Sequence, residues 1–372
     1  MDSGRLHLPS EQNYDCVQCG RSCQAGWDIA VEEPVRRQLE GHPLTLRVIQ
    51  ERGAAMVEKK GEMVLKMAPA CGYLEPDLLC GVHRHIGVQA KPSICRLFPY
   101  ILSHTPEGTY VGVSYACTAA RQNLGRPLSV QSAEVQQLLE LGATVNIVQD
   151  DGLLVHGSWF IRYSDYRRLE QEILQRAEAV GIFAAISEAL CGLGRQVSGW
   201  ARPRNTNPRP APEELAGCGA IDNPLLTRLR GEMWSQLSQH LLPELEGVEP
   251  VTRAHFQKVT ESLRDVRGVE PLHSAEVEKY LRHLVFRKQL VMHPTLLSNL
   301  CLLDFLPTFL SLYGHGFARH RGRTMDDQDY WDALDLAEKF LVYHCRGLRP
   351  VYQRCARFLI EQFRRPNDPA AL

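Results

Sequence analysis

The chain has 372 residues, with 42 basic and 43 acidic side chains and a formal net charge of −1 at pH 7. This balance excludes a global electrostatic attraction to nucleic acid or to an anionic membrane, so partners must be inferred from local features. The chain is longer than a typical domain with a single hydrophobic core, so we predict two domains. Residues 1–9 lack the apolar segment of a cleaved secretion signal, so we expect a cytoplasmic protein. In that compartment clustered cysteines indicate metal binding or catalysis rather than disulfides.

The first chemical feature is a cysteine knot, the segment Cys16-Val17-Gln18-Cys19-Gly20-Arg21-Ser22-Cys23. Gly20 permits a tight backbone reversal, so the three sulfurs can turn toward one point, as a metal ion or an iron–sulfur cluster requires. Four more cysteines follow within the first 120 residues: Cys71, Cys80, Cys95 and Cys117. The other five are spaced singly, and we interpret them as ordinary buried or half-buried thiols: Cys191, Cys218, Cys301, Cys345 and Cys355.

The segments between the clustered cysteines predict a small, irregular α+β domain over residues 1–125. Residues 29–50 have helical periodicity and predict one helix, or two short helices broken at Gly41-His42-Pro43. Strands are predicted at residues 62–67, which lead into Cys71, and at residues 109–115, which lead into Cys117. His83 and His85 alternate, which on a strand would direct them to opposite sides.

The remaining residues, 126–372, predict a larger, mainly helical domain. Helical periodicity covers residues 132–141, 164–180, 182–193, 224–242, 252–266, 274–291, 294–313, 326–346 and 350–364. A hairpin is predicted at 145–155, with Asp150-Asp151-Gly152 as its turn. The proline-rich residues 199–219 predict an exposed linker or long loop. The fold class is therefore mainly α, with the cysteine-rich domain preceding the helical one.

Two segments of the helical part have alternative readings. Leu296–Leu312 is apolar enough to resemble a membrane span, but it has 17 residues and contains Pro307, so we expect a buried helix kinked or broken at the proline. His315–Arg323 is basic and predicts a solvated loop between helices, with an anion or nucleic-acid site as the less common alternative. The four residues Arg282, His283, Arg287 and Lys288 are expected on the polar face of a helix.

Seven clustered thiols allow more than one partition into metal sites. Four thiolates suffice for one site, which leaves three over; two sites are possible if His83, His85, water or another group supplies the eighth ligand. Arg96, beside Cys95, is placed either to donate to a thiolate or to pair with an acid. The spacing of the cysteines does not choose among these arrangements.

Several separated motifs give the region of residues 14–120 a family resemblance. The motifs are Cys16-x2-Cys19-Gly20-x-Ser22-Cys23, then Cys71-Gly72-Tyr73-Leu74 with Cys80, then Lys91-Pro92-x2-Cys95-Arg96-Leu97-Phe98-Pro99. Together they resemble the YkgJ-type cysteine-cluster family of zinc- or iron-chelating domains. Ser22 stands where that family has a further cysteine, and Lys91 replaces its arginine. The tyrosine that the family has after Cys80 is here His83 or absent.

The longer relatives of that family that this chain most resembles are the flagellin lysine-N-methylases. The resemblance implies a [4Fe-4S] cluster, with zinc as the alternative, and transfer of a methyl group from S-adenosylmethionine to a lysine of a protein substrate such as flagellin. We expect Cys16, Cys19, Cys23 and Cys95 as the first ligands, with Cys71, Cys80 and Cys117 as alternates or second-site ligands. The competing hypothesis is a non-catalytic metal-binding module with a structural or redox-sensing centre and a partner-docking helical domain. No glycine-rich loop of a Rossmann-type methyltransferase is present.

Overall fold

The structure is a computed structural model that describes residues 5–59, 61–67, 70–140, 146–200, 207–244, 250–263, 266, 270–292, 294–343 and 345–364, without the side chains of 241–244, 250–255, 345 and 346. It is mainly α, with small sheets and a helical carboxyl-terminal region, and this confirms the predicted fold class. The Cys345 thiol lies outside the described side chains.

The first part of the chain alternates short helices and strands. In chain order these are β1 (Leu6–His7), α1 (Glu33–Leu39), α2 (Pro43–Arg52), β2 (Met56–Lys59), β3 (Glu62–Leu65), α3 (Gly81–His85), α4 (Ser93–Leu97), β4 (Tyr100–Thr105) and β5 (Gly108–Val113). Of the two predictions for residues 29–50, the broken helix is confirmed. Pro43 starts α2, and the His42 side chain accepts a hydrogen bond from the Leu44 N–H, which caps the new helix.

Two of the apolar clusters belong to different parts of the chain. The first is formed by residues 29–90, mainly from α1, α2, β3 and the loops after them. One sheet has the order β1-β5-β4-β6, in which β4 and β5 are antiparallel and β6 (Asn146–Ile147) is parallel to β4. The second and larger cluster begins at Val113, the end of β5, and extends through the helices to Ile360. The sheet therefore connects the cysteine-rich segments to the helical core.

Helices dominate the rest of the chain. They are α5 (Thr118–Arg121), α6 (Ser132–Glu140), α7 (Tyr163–Val180), α8 (Ile182–Gly199), α9 (Asn223–Glu244), α10 (Pro250–Leu263), α11 (Ala275–Phe286), α12 (Leu296–His320), α13 (Asp327–Leu336) and α14 (Arg349–Arg364). A π-helical segment, Ala337–Tyr343, follows α13 directly. Three further strands form a small sheet: β7 (Leu153–His156), β8 (Trp159–Ile161) and β9 (Arg209–Pro210).

The predicted hairpin over residues 145–155 is wrong. β6 pairs with β4, whereas β7 pairs with β8 across a turn at Gly157, whose φ is 59°. The Asp150 carbonyl accepts from the Tyr163 N–H at the start of α7, so the segment between β6 and β7 is held against that helix instead of closing a hairpin. Residue 145 lies outside the described part of the chain. Within the proline-rich stretch, residues 207–219 form a long loop that contributes β9.

Helix α12 is the centre of the helical core. It is 25 residues long, and it is the one helix in the described part of the chain whose length and hydropathy would suit a membrane span. Its apolar window is wholly buried among other helices, as expected of a core helix. Pro307 lies inside the helix without ending it, so of the two predicted alternatives, a kink or a break at the proline, the break is wrong. His315 belongs to this helix, so the predicted basic loop begins only at Arg321.

That basic segment is held by carboxylates. Arg321 forms ion pairs with Asp329 and Asp332, and Arg323 pairs with Asp329 and Asp326. The acidic start of α13 therefore neutralises the end of α12, which the sequence pattern of the basic segment alone does not reveal.

The predicted polar helix face at residues 282–288 is correct only for Arg282, which pairs with Glu178 at 3.0 Å. His283, Arg287 and Lys288 are buried. Arg287 Nη1 lies 2.7 Å from Glu338 Oε1, and Lys288 pairs with a second buried carboxylate. Helical periodicity alone predicts that charged side chains lie on an exposed face. Here the buried cations are instead paired with buried carboxylates that are distant in sequence.

Candidate metal centre and adjoining cavity

The cysteine knot folds around Gly20, as predicted. Its φ of 62° is left-handed, and a Cβ there would lie 3.1 Å from Leu78 Cβ and 3.3 Å from the Leu78 carbonyl oxygen. A 3₁₀ turn over residues 21–24 follows, closed by a 3.0 Å hydrogen bond from the Cys23 N–H to the Gly20 carbonyl. This turn leaves Cys16 and Cys19 exposed and makes Cys23 half-buried.

Four thiols from four different segments collect at the first apolar cluster. Cys71 is buried within it, and Cys23, Cys80 and Cys95 pack against it; we call these four the thiol quartet. The Cys71 N–H donates to the Cys23 carbonyl at 2.7 Å, which fastens the loop after β3 to the knot. Cys80 immediately precedes α3, and Cys95 lies on α4.

The loop from Cys71 to Cys80 is braced by one carboxylate. Glu75 accepts from Arg84 at 2.6 Å and from His85 at 2.9 Å, and the Gly81 N–H donates to the Tyr73 carbonyl at 2.8 Å. The two histidines lie on helix α3, so the argument about opposite sides of a strand does not apply to them. Both histidines are exposed, and His85 is engaged by Glu75.

Burial favours the protonated form of the Cys23, Cys71 and Cys95 thiols. It raises the pKa of both Cys71 and Cys95 to about 12. The Cys23 pKa is also raised, by burial first and then by Cys80, while Lys91 acts in the opposite direction on Cys23 and Cys95. The thiols are thus close enough to affect one another's ionisation, with one ammonium group beside them. A metal cation would supply the charge that deprotonates them.

The other three clustered cysteines lie near one another, and we call them the thiol trio; Cys19 of this trio also acts on Cys23 of the quartet. Burial raises the pKa of Cys117 to about 11, the N–H groups of Ala120 and Ala119 oppose this, and Cys19 and Cys16 add to it. Cys117 precedes α5 and packs against the helical core, away from the quartet's apolar cluster.

The donor chemistry of the quartet fits a four-thiolate centre, but the thiols do not yet surround one point. Throughout the described segments, no three cysteine, histidine, aspartate or glutamate side chains are already arranged to hold a metal ion. Side-chain rotation on binding must bring the sulfurs together. Of the four ligands expected first, Cys23 and Cys95 lie in the quartet, whereas Cys16 and Cys19 lie with Cys117. Ligation itself stays a prediction. Arg96 donates to the Gln89 side-chain amide at 3.2 Å, and its donation to a metal-bound thiolate stays a prediction.

A cavity of about 200 Å³ lies between the cysteine-rich segments and the helical core. Ile94 and Ala116 line it, and each directly precedes a clustered cysteine, one in the quartet and one in the trio. The other lining residues are mostly apolar or aromatic: Trp27, Asp28, Ile29, Leu97, Phe98, Pro99, Tyr100, Ile101, Ser114, Lys339 and Tyr343. A concave, largely apolar site with a few polar groups is the usual form of a small-molecule site.

Two of the cavity residues belong to the π-helical segment. Lys339 Nζ pairs with Asp335 at 2.6 Å and lies 5.8 Å from the centroid of the Trp27 ring. Trp27 also meets Phe98 edge to face, with centroids 5.4 Å apart. The cavity is therefore walled by aromatic rings and carries an ammonium group at one side.

Asp335 also connects the cavity to the cysteine knot. Arg121, whose side chain is 1% exposed, lies 3.1 Å from Asp335. Arg21, within the knot, lies 3.4 Å from Asp332 and 4.0 Å from Asp335. Segments that carry cysteines of the two thiol groups therefore contact the same acidic end of helix α13.

Sequence reasoning missed this cavity entirely. Trp27 and Phe98 each follow a quartet cysteine by a few residues. An aromatic residue near each of these cysteine motifs is the sequence feature that could have indicated the cavity. Lys339 and Tyr343 had no such signal, because they are more than 200 positions away in sequence and reach the site through a π-helical turn.

The comparisons with known proteins are sparse. No family model matches the chain, and no solved structure matches it. The chain is similar to the flagellar biosynthetic protein FliU of Salmonella muenchen, with 31% identity over 87 residues. The similarity covers 22% of this chain and 52% of FliU, so the chain spans about half the length of the curated relative it matches. Part of the chain therefore resembles a protein of flagellar biosynthesis.

Proposed function

We propose that the thiol quartet binds a metal centre and that the protein is a cytoplasmic methyltransferase acting on a protein lysine. The observation that supports the metal centre best is the gathering of Cys23, Cys71, Cys80 and Cys95 from four segments at one small apolar cluster. Thiolates are soft, strong ligands, and four of them complete a zinc or an iron–sulfur site. Lys91 is placed to offset part of the negative charge of such a centre.

The metal that we propose is a [4Fe-4S] cluster, with zinc as the alternative. Donor chemistry alone separates the two poorly, since both accept four thiolates; the resemblance to the flagellin lysine-N-methylases favours iron. Anaerobic purification should give brown protein with matching iron and acid-labile sulfide. Colourless protein with stoichiometric zinc, even after anaerobic reconstitution with iron and sulfide, would reject the cluster.

Methyl transfer is proposed from the resemblance to lysine-N-methylases, the similarity to FliU and the position of the cavity beside both thiol groups. In the reaction a neutral lysine nitrogen forms a bond to the methyl carbon of S-adenosylmethionine. The bond from that carbon to the sulfonium sulfur breaks, and its electron pair remains on sulfur. The lysine must first lose its ammonium proton to a base or to water.

Flagellin is the protein substrate to test first. The metal-loaded protein with S-adenosylmethionine should add methyl groups to flagellin lysines, measured by peptide mass spectrometry. Flagellin whose lysines were chemically dimethylated beforehand is the matched control. No methylation of flagellin or of other flagellar proteins by fully metal-loaded protein would count against this activity.

The exposure of Cys16 and Cys19 favours one alternative, a non-catalytic module with a redox-sensing centre. The helical part would then dock a partner. Any molecule that binds the native state must raise the melting temperature, so saturating S-adenosylmethionine separates the hypotheses. A rise supports the enzyme; an unchanged melting temperature with the metal centre intact supports the module.

A further inference from the structure

We infer that the cavity binds the methyl donor, with Lys339 holding the carboxylate of its amino-acid end and Trp27, Phe98 and Tyr100 contacting its apolar body. The inference rests on the proposed function for the identity of the donor. Its location rests on the charges and rings that line the cavity.

The charge balance beside the cavity favours an anionic group. Asp335 is the carboxylate nearest Lys339, at 2.6 Å, and it also faces Arg121 at 3.1 Å and Arg21 at 4.0 Å. Asp332, the next carboxylate, is shared between Arg21 and Arg321. Three cations, Lys339, Arg121 and Arg21, therefore face these two carboxylates, since Arg321 is also paired with Asp329 and the nearby Glu338 pairs with Arg287. A ligand carboxylate at Lys339 would offset part of the excess.

The Lys339 side chain is already ordered, which favours its binding of a ligand carboxylate. Its side chain is 15% exposed, and its ammonium group is held between Asp335 and the Trp27 ring. A lysine ordered in this way loses little further side-chain entropy when a ligand binds. Asp28, on the same cavity wall, carries a carboxylate that can meet the donor's α-ammonium group, and its present partner is the exposed Lys59 at 2.6 Å.

The aromatic walls suit the rest of the donor. Trp27 and Phe98 form an edge-to-face pair, and Tyr100 is held by a 2.8 Å hydrogen bond from its hydroxyl to Gln131 Oε1. Aromatic faces attract a sulfonium cation and stack on a flat heterocycle. A donor bound here would lie against Ile94 and Ala116, next to one cysteine of each thiol group.

The test measures binding without turnover. The metal-loaded protein is titrated by calorimetry with S-adenosylhomocysteine, which keeps the amino-acid end, and with adenosine, which lacks it. Lys339→Met should weaken S-adenosylhomocysteine binding by at least about tenfold and leave adenosine binding unchanged, since it removes a single charge contact. Trp27→Leu should weaken both ligands. Lys258→Met, at an exposed position on α10, is the matched control and should bind as the wild type does.

Folding and function are read out separately. Metal content and thermal unfolding establish that each variant is folded, and Lys339→Arg, which keeps the charge, should restore much of the affinity if Lys339→Met is poorly folded. Unchanged affinity for S-adenosylhomocysteine in folded Lys339→Met and Trp27→Leu overturns the inference. Wild-type binding that depends on Lys339, without methyl transfer to any lysine, upholds the site and rejects the proposed enzyme. Full methyl transfer in both variants rejects the site and upholds the enzyme.

Discussion

At the scale of residues, a few side chains and one glycine determine which thiols of the cysteine knot are buried and which are exposed. Gly20 reverses the knot and makes Cys23 half-buried, whereas Cys16 and Cys19 stay exposed. The spacing of the knot predicted that its thiols belong to a metal site, but it could not predict this separation. The separation depends on Leu78 and Cys71, which contact the knot from 48 or more positions away.

Buried His283 predicts a pH dependence of stability. Its Nε2 lies 3.0 Å from the Val113 nitrogen, and burial, followed by Arg287, lowers its pKa to about 3. In the unfolded chain the His283 imidazole binds a proton near pH 6.5, whereas in the folded protein it stays neutral at that pH. The contribution of His283 to the unfolding free energy is therefore fully present above pH 6.5. As the pH falls from 6.5 toward 3, this one group should remove up to about 1.4 kcal/mol of unfolding free energy per pH unit.

The measurement is urea unfolding between pH 7.5 and 4.5. Since carboxylates also titrate in acid, the comparison is with His283→Gln, which should be less stable at pH 7.5 but lose less stability on acidification. Parallel losses in the two proteins would show that His283 titrates normally.

At the scale of elements, the π-helical segment Ala337–Tyr343 contributes side chains both to the buried core and to the cavity. It directs Glu338 into the interior, where Oε2 accepts from Tyr280 at 2.7 Å and Oε1 pairs with Arg287 at 2.7 Å. The next residue, Lys339, lines the cavity. A wide helical turn of this kind often marks a functional site.

Glu338→Gln should destabilise the protein strongly. The substitution preserves shape but leaves the Arg287 guanidinium buried without its countercharge, which typically costs about 3–5 kcal/mol. Chemical denaturation of the variant, beside Glu361→Gln at an exposed position of α14, measures this cost. A loss below about 1 kcal/mol would mean that Arg287 finds water or another acceptor.

Elements with a strong apolar pattern were predictable from the sequence. Elements and contacts that depend on partners distant in sequence were not. α12 was expected as a buried helix from its apolar sequence, and it is one. The hairpin was assigned to Asp150-Asp151-Gly152 on turn chemistry, whereas β6 pairs with β4, more than 40 residues earlier. Arg287 and Lys288 were assigned to an exposed face because Glu338 and Glu170 are invisible to a local pattern.

At the scale of the whole molecule, the quartet lies in a part of the chain with a small apolar core of its own. That cluster contains residues 29–90, whereas the helical cluster extends from Val113 to Ile360. A small core rarely gives ample stability without a metal or other cross-link. The composition of the first 120 residues predicted a cysteine-rich unit before helices, but not the cavity between them, because its walls come from both parts.

Removal of the metal should therefore affect one part of the molecule. After chelation under anaerobic conditions, limited proteolysis should cut within residues 14–97, while α7–α12 stay protected, because metal ties together loops that share few other contacts. Untreated protein in the same buffer is the control. An unchanged cleavage pattern and melting temperature after complete metal removal would refute a structural role for the centre.

The metal content of single Cys→Ser variants tests the central claim most directly. Iron, zinc and sulfide are measured in anaerobically purified Cys23→Ser, Cys71→Ser, Cys80→Ser and Cys95→Ser, beside Cys117→Ser from the trio and Cys301→Ser from the helical core. Each quartet variant should lose most of one metal centre, Cys117→Ser should keep that centre, and Cys301→Ser should match the wild type. Full occupancy in both Cys71→Ser and Cys95→Ser would contradict the assignment of the metal centre to the thiol quartet.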